Sequence, residues 1–318
     1  MNYLFAAEDK ATYWYIERNL GLLLVLLGII LNYLGTAAVA ELKYTGNAKS
    51  SIDLINGKEI QELDSDRLSL EYTEAIAPII VSDAQAQAQK FLEIPTKPAT
   101  DKPLITSMTV TGKYAAQIDY GWLQGVNQAE IQTSVPSSTR SPILSGRTSI
   151  VQKLTWSDKL TVLSKTIPRG KTVSLKFTLK FTRHLRKDDL GEVKAIALWG
   201  ISSANGINKT EIAIADDNLR SPLTTTESKI IQVKVGQTLN LVGSLELGAK
   251  ITNPNSQQFP RDSSAMANAE NTARFYIDPV DADISYTTES KQTYLSEVRS
   301  QKSEVRKKEK QISNLNAP

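Results

Sequence analysis

The 318-residue chain carries 37 lysines and arginines, 34 aspartates and glutamates, one histidine and no cysteine. The lack of cysteine excludes a disulfide framework, a thiolate zinc site and a cysteine nucleophile. Hydrophobic residues make up 41% of the chain and charged residues 22%, so we expect a packed core in one sizeable or two small domains.

The first predicted element is an apolar run from Leu20 to Ala40. As a helix it would be about 30 Å long, which is enough to cross a bilayer. Its uninterrupted core, Leu20–Leu31, is shorter and is typical of the apolar region of a signal peptide. Ala38 and Ala40 match the small-x-small pattern that signal peptidase cleaves after. Residues 1–40 are therefore predicted to be a cleaved signal peptide or a retained transmembrane anchor, and both interpretations predict export. A buried apolar segment is the third interpretation.

Residues 41–104 are predicted to be a connector. The segment Asp83–Leu92 contains an alternating AQAQAQ among helix-forming residues, which favours a short helix with Asp83 as its N-cap. Three prolines follow within IPTKPATDKP at 94–103, so we expect the connector to end in a linker.

From Ile105 onward the hydrophobic period changes to two. In TVSLKFTLKF at 172–181 every second residue is apolar, and TLNLVGSLELGAKI at 238–251 repeats the pattern. Further short strands are predicted at Met108–Thr111, Ser149–Leu154, Leu160–Leu163, Val193–Trp199, Glu211–Ala215, Ile230–Val235 and Ala273–Ile277. Short strands separated by turns rich in glycine, proline and asparagine predict a mostly β fold. We expect residues 105–290 to form an antiparallel β-sandwich or jelly roll.

The last segment, residues 291–318, has seven lysines and arginines against three glutamates. Val298, Val305 and Ile312 recur every seven residues, but three apolar positions are too few to predict a coiled coil. A charged helical or disordered tail is expected. Docking of this tail on a partner or on a membrane surface is the alternative.

No catalytic motif is evident. A Ser-His-Asp triad would have to use His184, which lies in a basic run and is accompanied by no GxSxG segment. Gly170-Lys171-Thr172 resembles the end of a P-loop, but its first glycine is replaced by Lys165 and a strand follows. We therefore predict a protein that is not an enzyme and needs no cofactor.

Acidic residues offer two weaker alternatives. A carboxylate-based glycan hydrolase could use the adjacent pairs Asp188–Asp189 or Asp216–Asp217. Asp278, Asp281 and Asp283 could supply oxygen ligands to calcium, although the glycine and terminal glutamate of a recognised calcium loop are absent. Turn capping is the other interpretation of these three aspartates.

The most conspicuous charge pattern is a basic run, since Lys159 to Lys187 contains nine lysines and arginines and no acid. Strand alternation places Lys176 and Lys180 on one outward face. Such a stripe could bind an anionic polysaccharide or a phospholipid headgroup, or it could be a solvated face that resists edge pairing. The candidate residues are Lys171, Lys176, Lys180, Arg183, Arg186 and Lys187. No nucleic-acid-binding module accompanies the run, so nucleic acid is not an expected partner.

The tryptophans Trp122, Trp156 and Trp199 could line a sugar-binding platform. In a sandwich of this size a place in the core is the favoured interpretation for them.

Four stretches together resemble one family. They are IDYGWL at 118–123, WSDKLTVLSKTIPRGKTVSLKFTLKF at 156–181, GQTLNLVGSLELGAKI at 236–251, and NTARFYIDPVDADISYTTES at 271–290 followed by Tyr294. Their order is similar to that in exported bacterial β-sandwich proteins of the PEP-CTERM-sorted type. The resemblance implies an extracellular or envelope module that is not an enzyme. The Pro-Glu-Pro signal and sorting anchor typical of that family are replaced here by the charged tail.

The sequence as a whole predicts an exported, non-enzymatic cell-surface or extracellular module, structural or binding, in contact with anionic polysaccharide or other envelope components. A membrane-anchored assembly protein that uses its basic tail is one alternative, and the glycan hydrolase is the other.

Overall fold

The structure, a computed structural model, describes residues 40–56, 59–75, 77–94, 104–134, 143–187, 191–203, 209–216, 223–252 and 263–295. The predicted N-terminal apolar helix, with Ala38 of its cleavage pattern, and the charged tail beyond Leu295 lie outside these ranges. Within them, no helix is long and apolar enough to span a bilayer.

The described residues form antiparallel strands. Their bounds are β1 Glu41–Asn56, β2 Glu59–Glu74, β3 Ile79–Ile94, β4 Leu104–Asp119, β5 Trp122–Ser134, β6 Ile143–Ser164, β7 Thr172–Lys187, β8 Gly191–Ser203, β9 Lys209–Asp216, β10 Leu223–Lys234, β11 Thr238–Thr252, β12 Ser263–Pro279 and β13 Ile284–Thr288.

The strands make two sheets. Sheet A has the order β2-β1-β6-β11-β8-β9, with β13 also paired to β6, and sheet B has the order β10-β7-β12-β5-β4-β3. Strands β5 to β12 pair in a nested way: β5 with β12, β6 with β11, β7 with β10, and β8 with β9. This is the pairing of an eight-stranded jelly roll, in which one long hairpin folds over into two sheets. The prediction of a mostly β sandwich is confirmed, and β1–β4 widen both sheets.

Alternation of apolar and polar residues explains why these segments are strands. In β7 the five apolar residues at odd positions from Val173 to Phe181 are buried, and the residues between them face outward. The buried faces of both sheets contribute to one apolar core, which includes Trp156 and Trp199. The strands predicted from the sequence coincide with parts of observed ones, which extend further, except that the strand predicted at Ile230–Val235 ends one residue beyond β10. Ser149–Leu154 and Leu160–Leu163, predicted as separate strands, are parts of β6.

The prediction for residues 41–94 is wrong. Instead of a connector with a helix at Asp83–Leu92, this segment forms β1, β2 and β3 of the sandwich. Ala84, Ala86 and Ala88 are buried, whereas the glutamines between them are exposed. The helix propensity of alanine and glutamine was outweighed by the period of two, because only a strand places all three alanines on one face. The proline-rich segment 95–103 lies outside the described residues.

A buried carboxylate fastens the end of the described chain to the core. Asp158 is fully buried and accepts hydrogen bonds from the Tyr294 hydroxyl at 2.6 Å, from the Ser290 amide at 3.1 Å and from the Ser290 hydroxyl. The Tyr294 ring stacks on Trp156 with a centroid distance of 5.1 Å. Gly121 leaves room for this ring, since a Cβ there would lie 2.7 Å from Tyr294 Cδ1. We call Asp158, Ser290 and Tyr294 the clasp. Its members come from segments that carry the family resemblance.

Two carboxylates of β2 cover the free edge of β3. Asp66 Oδ2 accepts a hydrogen bond from the backbone amide of Gln87 at 2.9 Å, and Asp64 Oδ2 accepts one from the amide of Gln89 at 2.8 Å. These amides would otherwise be available to another strand.

The two caps can be tested separately by amide hydrogen exchange. A hydrogen bond to an ionised acceptor contributes about 1.5–3 kcal/mol. We therefore expect Asp66→Ala to accelerate exchange at Gln87 about tenfold or more while Gln89 keeps its protection, and Asp64→Ala to do the reverse. Equal acceleration at both amides in either variant would show general loosening of β3 rather than loss of one cap.

Candidate functional site

The outward face of sheet B holds a cluster of aromatic and basic side chains on its central strands. Lys180 on β7 lies directly opposite Arg274 on β12, which in turn lies directly opposite Trp122 on β5. Tyr276 is the next outward residue of β12. Successive side chains of a strand point to opposite faces. The sequence neighbours of these four residues, among them Leu123 and Phe275, are buried, so the four side chains point away from the core. We call these four residues, together with Lys176 and Asp278, the platform.

Strand geometry gives the platform its size. Adjacent strands are about 4.8 Å apart and residues rise about 3.4 Å along each strand, so the platform is about 10 Å wide and about 14 Å long. Arg274 and Lys176 are exposed, and Trp122, Lys180, Tyr276 and Asp278 are half-buried.

A ladder of polar side chains continues the same face from β7 to β10. The hydroxyl groups of Thr178 and Ser228 are 2.9 Å apart, and those of Thr182 and Thr224 are 3.1 Å apart. Further along, Gln232 Nε2 donates to Ser174 Oγ at 3.0 Å. The face beside the platform therefore presents mostly hydrogen-bonding groups, with the exposed Ile230 between Ser228 and Gln232.

The charges of the platform are arranged unevenly. Lys176 lies directly opposite Asp278, a pairing of opposite charges. Lys180 lies directly opposite Arg274, and like charges directly opposite each other are destabilising in a sheet. A local arrangement that costs stability is a reason to consider a functional role for it.

The six residues of the predicted basic stripe do not share one surface. Lys176, Lys180 and Arg186 face outward from β7, and Lys171 is exposed in the turn before that strand. Lys187 lies at an odd-numbered position of β7, so it belongs to the other face of the strand.

Arg183 also lies at an odd-numbered position of β7, and only 5% of its surface is exposed. Its guanidinium donates to Thr225 Oγ1 at 2.7 Å and lies 5.3 Å from the ring centroid of Phe181. The alternation of β7 thus separates side chains that are adjacent in the basic run.

The three candidate tryptophans also separate. Trp156 and Trp199 are fully buried and form edge-to-face contacts with Phe275, at centroid distances of 5.3 and 5.4 Å. They are core residues, as the favoured interpretation held. Trp122 faces outward on the platform. The sequence shows that Trp122 and Leu123 point to opposite faces of a strand, but it does not show that Trp122 lies beside Arg274.

The predicted calcium ligands do not converge. Asp281 Oδ2 accepts a hydrogen bond from the Ser174 amide at 2.7 Å, Asp283 Oδ2 accepts one from the Thr166 hydroxyl at 3.2 Å, and Asp278 belongs to the platform. In the described part of the chain no group of three histidine or acidic residues could hold a metal ion.

The residues of the enzymatic alternatives are placed only in part. His184 is half-buried on the outward face of β7, opposite Glu270 of β12. Asp188, Asp189 and Asp217 lie outside the described residues, and Asp216 is the last residue of β9. The pairs proposed for a glycan hydrolase therefore remain a prediction.

Comparison with known proteins gives no family. No protein-family model matches the chain, and no curated protein matches it. Among solved structures, TmCBM61 in complex with β-1,4-galactotriose aligns with 11% identity and a TM-score of 0.20, over 53% of this chain and 88% of its own. A structure of carbohydrate-binding modules from the β-sandwich superfamily aligns with 5% identity and a TM-score of 0.17, over 74% and 97% of the two chains.

A viral protein aligns with a similarly low TM-score. The structure of infectious bursal disease virus, Gx strain, aligns with 8% identity and a TM-score of 0.17, over 79% of this chain and 64% of its own. Likenesses with TM-scores this low carry no argument about function. The case for a site rests on the geometry of the platform.

Proposed function

We propose that this protein is an exported, non-enzymatic module that binds an anionic polysaccharide on the platform. The observation that carries the proposal is the row Lys180–Arg274–Trp122, with Tyr276 beside it, on the outward face of sheet B. Export is part of this proposal. It is supported by the apolar run at Leu20–Ala40 and by the resemblance of the sandwich to exported proteins.

The side chains of the platform suit the two surfaces of a sugar. Aromatic rings such as those of Trp122 and Tyr276 offer large apolar area at a low cost in side-chain entropy, which suits packing against the C–H face of a pyranose. The Arg274 guanidinium offers donors in a fixed planar arrangement that can bind a carboxylate through two hydrogen bonds. The neighbouring hydroxyl ladder supplies further partners for sugar hydroxyl groups.

Charge favours an acidic glycan over a neutral one. A uronate carboxylate or a sulfate placed between Lys180 and Arg274 would replace the repulsion of two cations by two attractive contacts. A neutral sugar would leave that repulsion in place. Polyuronates and sulfated glycans are therefore the expected ligands.

Binding can be tested by electrophoresis of the full-length chain through gels that contain polygalacturonate, dextran sulfate or dextran. The two dextrans share one backbone and differ in charge. We expect retardation by polygalacturonate or dextran sulfate, weakening as salt rises, and little by dextran. Trp122→Ala should weaken retention about tenfold or more, because it removes a central aromatic contact. Lys180→Gln and Arg274→Gln should each weaken it several-fold and reduce its dependence on salt.

Two residues on the same outward face provide matched controls. Phe91 is 59% exposed on β3 and Lys113 is exposed on β4, both away from the platform. Phe91→Ala and Lys113→Gln should leave retention unchanged. The proposal fails if the unmodified chain is retarded by none of the glycans, or if the controls weaken retention as much as the platform variants do. Release of new reducing ends from polygalacturonate would favour the glycan hydrolase instead.

A further inference from the structure

In the part of the chain that the structure describes, three sheet edges carry a device that discourages pairing with another chain. At the β3 edge, Asp64 and Asp66 cap backbone amides. The β2 edge carries six acidic residues and one arginine, so two copies of it repel each other. The β9 edge is short, at eight residues, and Lys229 Nζ donates to the backbone carbonyl of its Glu211 at 2.6 Å.

The fourth edge, β10, carries only three charges, Glu227, Lys229 and Lys234, and Lys229 is the residue that donates to Glu211 of β9. In the part of the chain that the structure describes, β10 pairs only with β7, and nine of its twelve residues are exposed. Its sequence, LTTTESKIIQVK, contains no glycine or proline, and half of its residues are β-branched, a composition that favours extended pairing. Ile230 is 60% exposed and Leu223 is 42% exposed. A long, exposed edge of this kind is a template for another strand.

The strand is complementary to itself. When two copies of β10 pair antiparallel about a two-fold axis through Ser228, Glu227 of each copy lies directly opposite Lys229 of the other. On the inward face of the joined sheet, the same register places Thr225 opposite Ile231 and Leu223 opposite Val233. Opposite charges directly across an antiparallel pair stabilise it, and here the favourable pair occurs twice.

The neighbouring registers are disfavoured by the same charges. A strand must shift by two residues to keep both its side-chain faces and its hydrogen-bonding pattern. Moving the axis from Ser228 to Glu227 would place Glu227 opposite its own copy. Moving it to Lys229 would place Lys229 opposite its own copy. Each of the two neighbouring registers therefore places like charges opposite each other, whereas the register centred on Ser228 pairs opposite charges.

We propose that β10 is a self-association edge through which two copies of this chain join their B sheets into one continuous antiparallel sheet, with the two-fold axis at Ser228. Because the platform lies on β7, β12 and β5, such a dimer presents two platforms on one side of a single sheet. The inference concerns the edge and stands independently of which glycan, if any, the platform binds.

Disulfide trapping tests the axis directly, since the chain has no cysteine of its own. Residues opposite each other in an antiparallel pair have Cα atoms about 4.5–5.5 Å apart, within the range that a disulfide spans. We expect full-length Ser228→Cys to form a covalent dimer on mild oxidation. Thr224→Cys is the matched control: it is equally exposed on β10, but its copy would lie about 27 Å away in this register. Equal dimer yields from the two variants would overturn the proposal.

Charge reversal tests the complementarity. By light scattering after size exclusion, we expect the unmodified chain to be dimeric at micromolar concentration. Glu227→Lys and Lys229→Glu should each weaken the dimer about tenfold or more, because each replaces two attractive pairs by two repulsive ones. Combining the two substitutions should restore the dimer with its charges exchanged. Glu71→Lys on the β2 edge should change nothing.

A monomer at every concentration would overturn the proposal. So would a dimer that both single reversals leave intact, because it would have to form through another surface. Glycan retention by a monomeric chain would leave the platform proposal standing while the edge proposal fails.

Discussion

Asp158→Ala is expected to lower the free energy of unfolding by about 3–5 kcal/mol. The Asp158 carboxylate is fully buried and accepts hydrogen bonds from the Tyr294 hydroxyl and from the hydroxyl and amide of Ser290. Alanine would remove this acceptor from all three donors, and a buried donor left unsatisfied, such as the Tyr294 hydroxyl, costs about 1–3 kcal/mol. The end of the described chain would also lose its attachment to the core. Urea denaturation followed by tryptophan fluorescence measures the change.

The contributions of the two partners can be separated. Tyr294→Phe keeps the ring on Trp156 but removes one donor, and Ser290→Ala removes another, so each should cost about 1–2 kcal/mol. Asp281→Ala is the matched control, since the Asp281 carboxylate accepts one backbone hydrogen bond at an exposed position. If Asp158→Ala costs no more than Asp281→Ala, the clasp does not stabilise the fold. A double-mutant cycle between Asp158 and Tyr294 would measure their coupling.

Alkaline pH is expected to destabilise the protein from about pH 10 upward. Burial first, and then the Asp158 carboxylate, raise the pKa of the Tyr294 hydroxyl above its ordinary value of 10.0. Burial also raises the pKa of Tyr44. Above pH 10 these tyrosines lose their protons in the unfolded chain but keep them in the folded protein. The contribution of these protonated hydroxyls to the free energy of unfolding is therefore complete below pH 10, and it is lost as the pH rises toward their pKa values in the folded protein.

The size of this loss follows from proton linkage. One group that is ionised only in the unfolded state lowers the free energy of unfolding by about 1.4 kcal/mol for each pH unit. Urea midpoints of the unmodified chain and of Tyr294→Phe, measured from pH 8 to 12, should show that the variant declines less steeply by about this amount. Below pH 9 the difference between the two proteins should be constant. Parallel curves throughout would show that Tyr294 ionises equally in both states.

Period-two alternation predicted most strands of the body, although it missed β5 and β13. In β7 and β11 it identified the buried face residue by residue, because a strand exposes alternate side chains to opposite sides whatever it pairs with. It failed for β3 because the alternating residues there are alanine and glutamine. Their hydrophobic contrast is weak and their helix propensity is high, so only the buried faces of the other strands decide between helix and strand.

The tertiary structure alone decided which residues meet. Lys180, Arg274 and Trp122 are far apart in sequence, and the nested pairing of a jelly roll brings them into one row. The pairing of β13 with β6 brings Ser290 and Tyr294, which follow β13, to Asp158 of β6. In the sequence these residues appeared only in separate turn and strand segments.

The sequence by itself determined the class of fold, the inward faces of β7 and β11 and the outward position of Lys176 and Lys180. These properties depend on the order of apolar and polar residues within a single strand. The platform, the clasp and the exposed β10 edge depend on the register between strands. Register is set by the packing of the whole sandwich, so only the folded structure could reveal them.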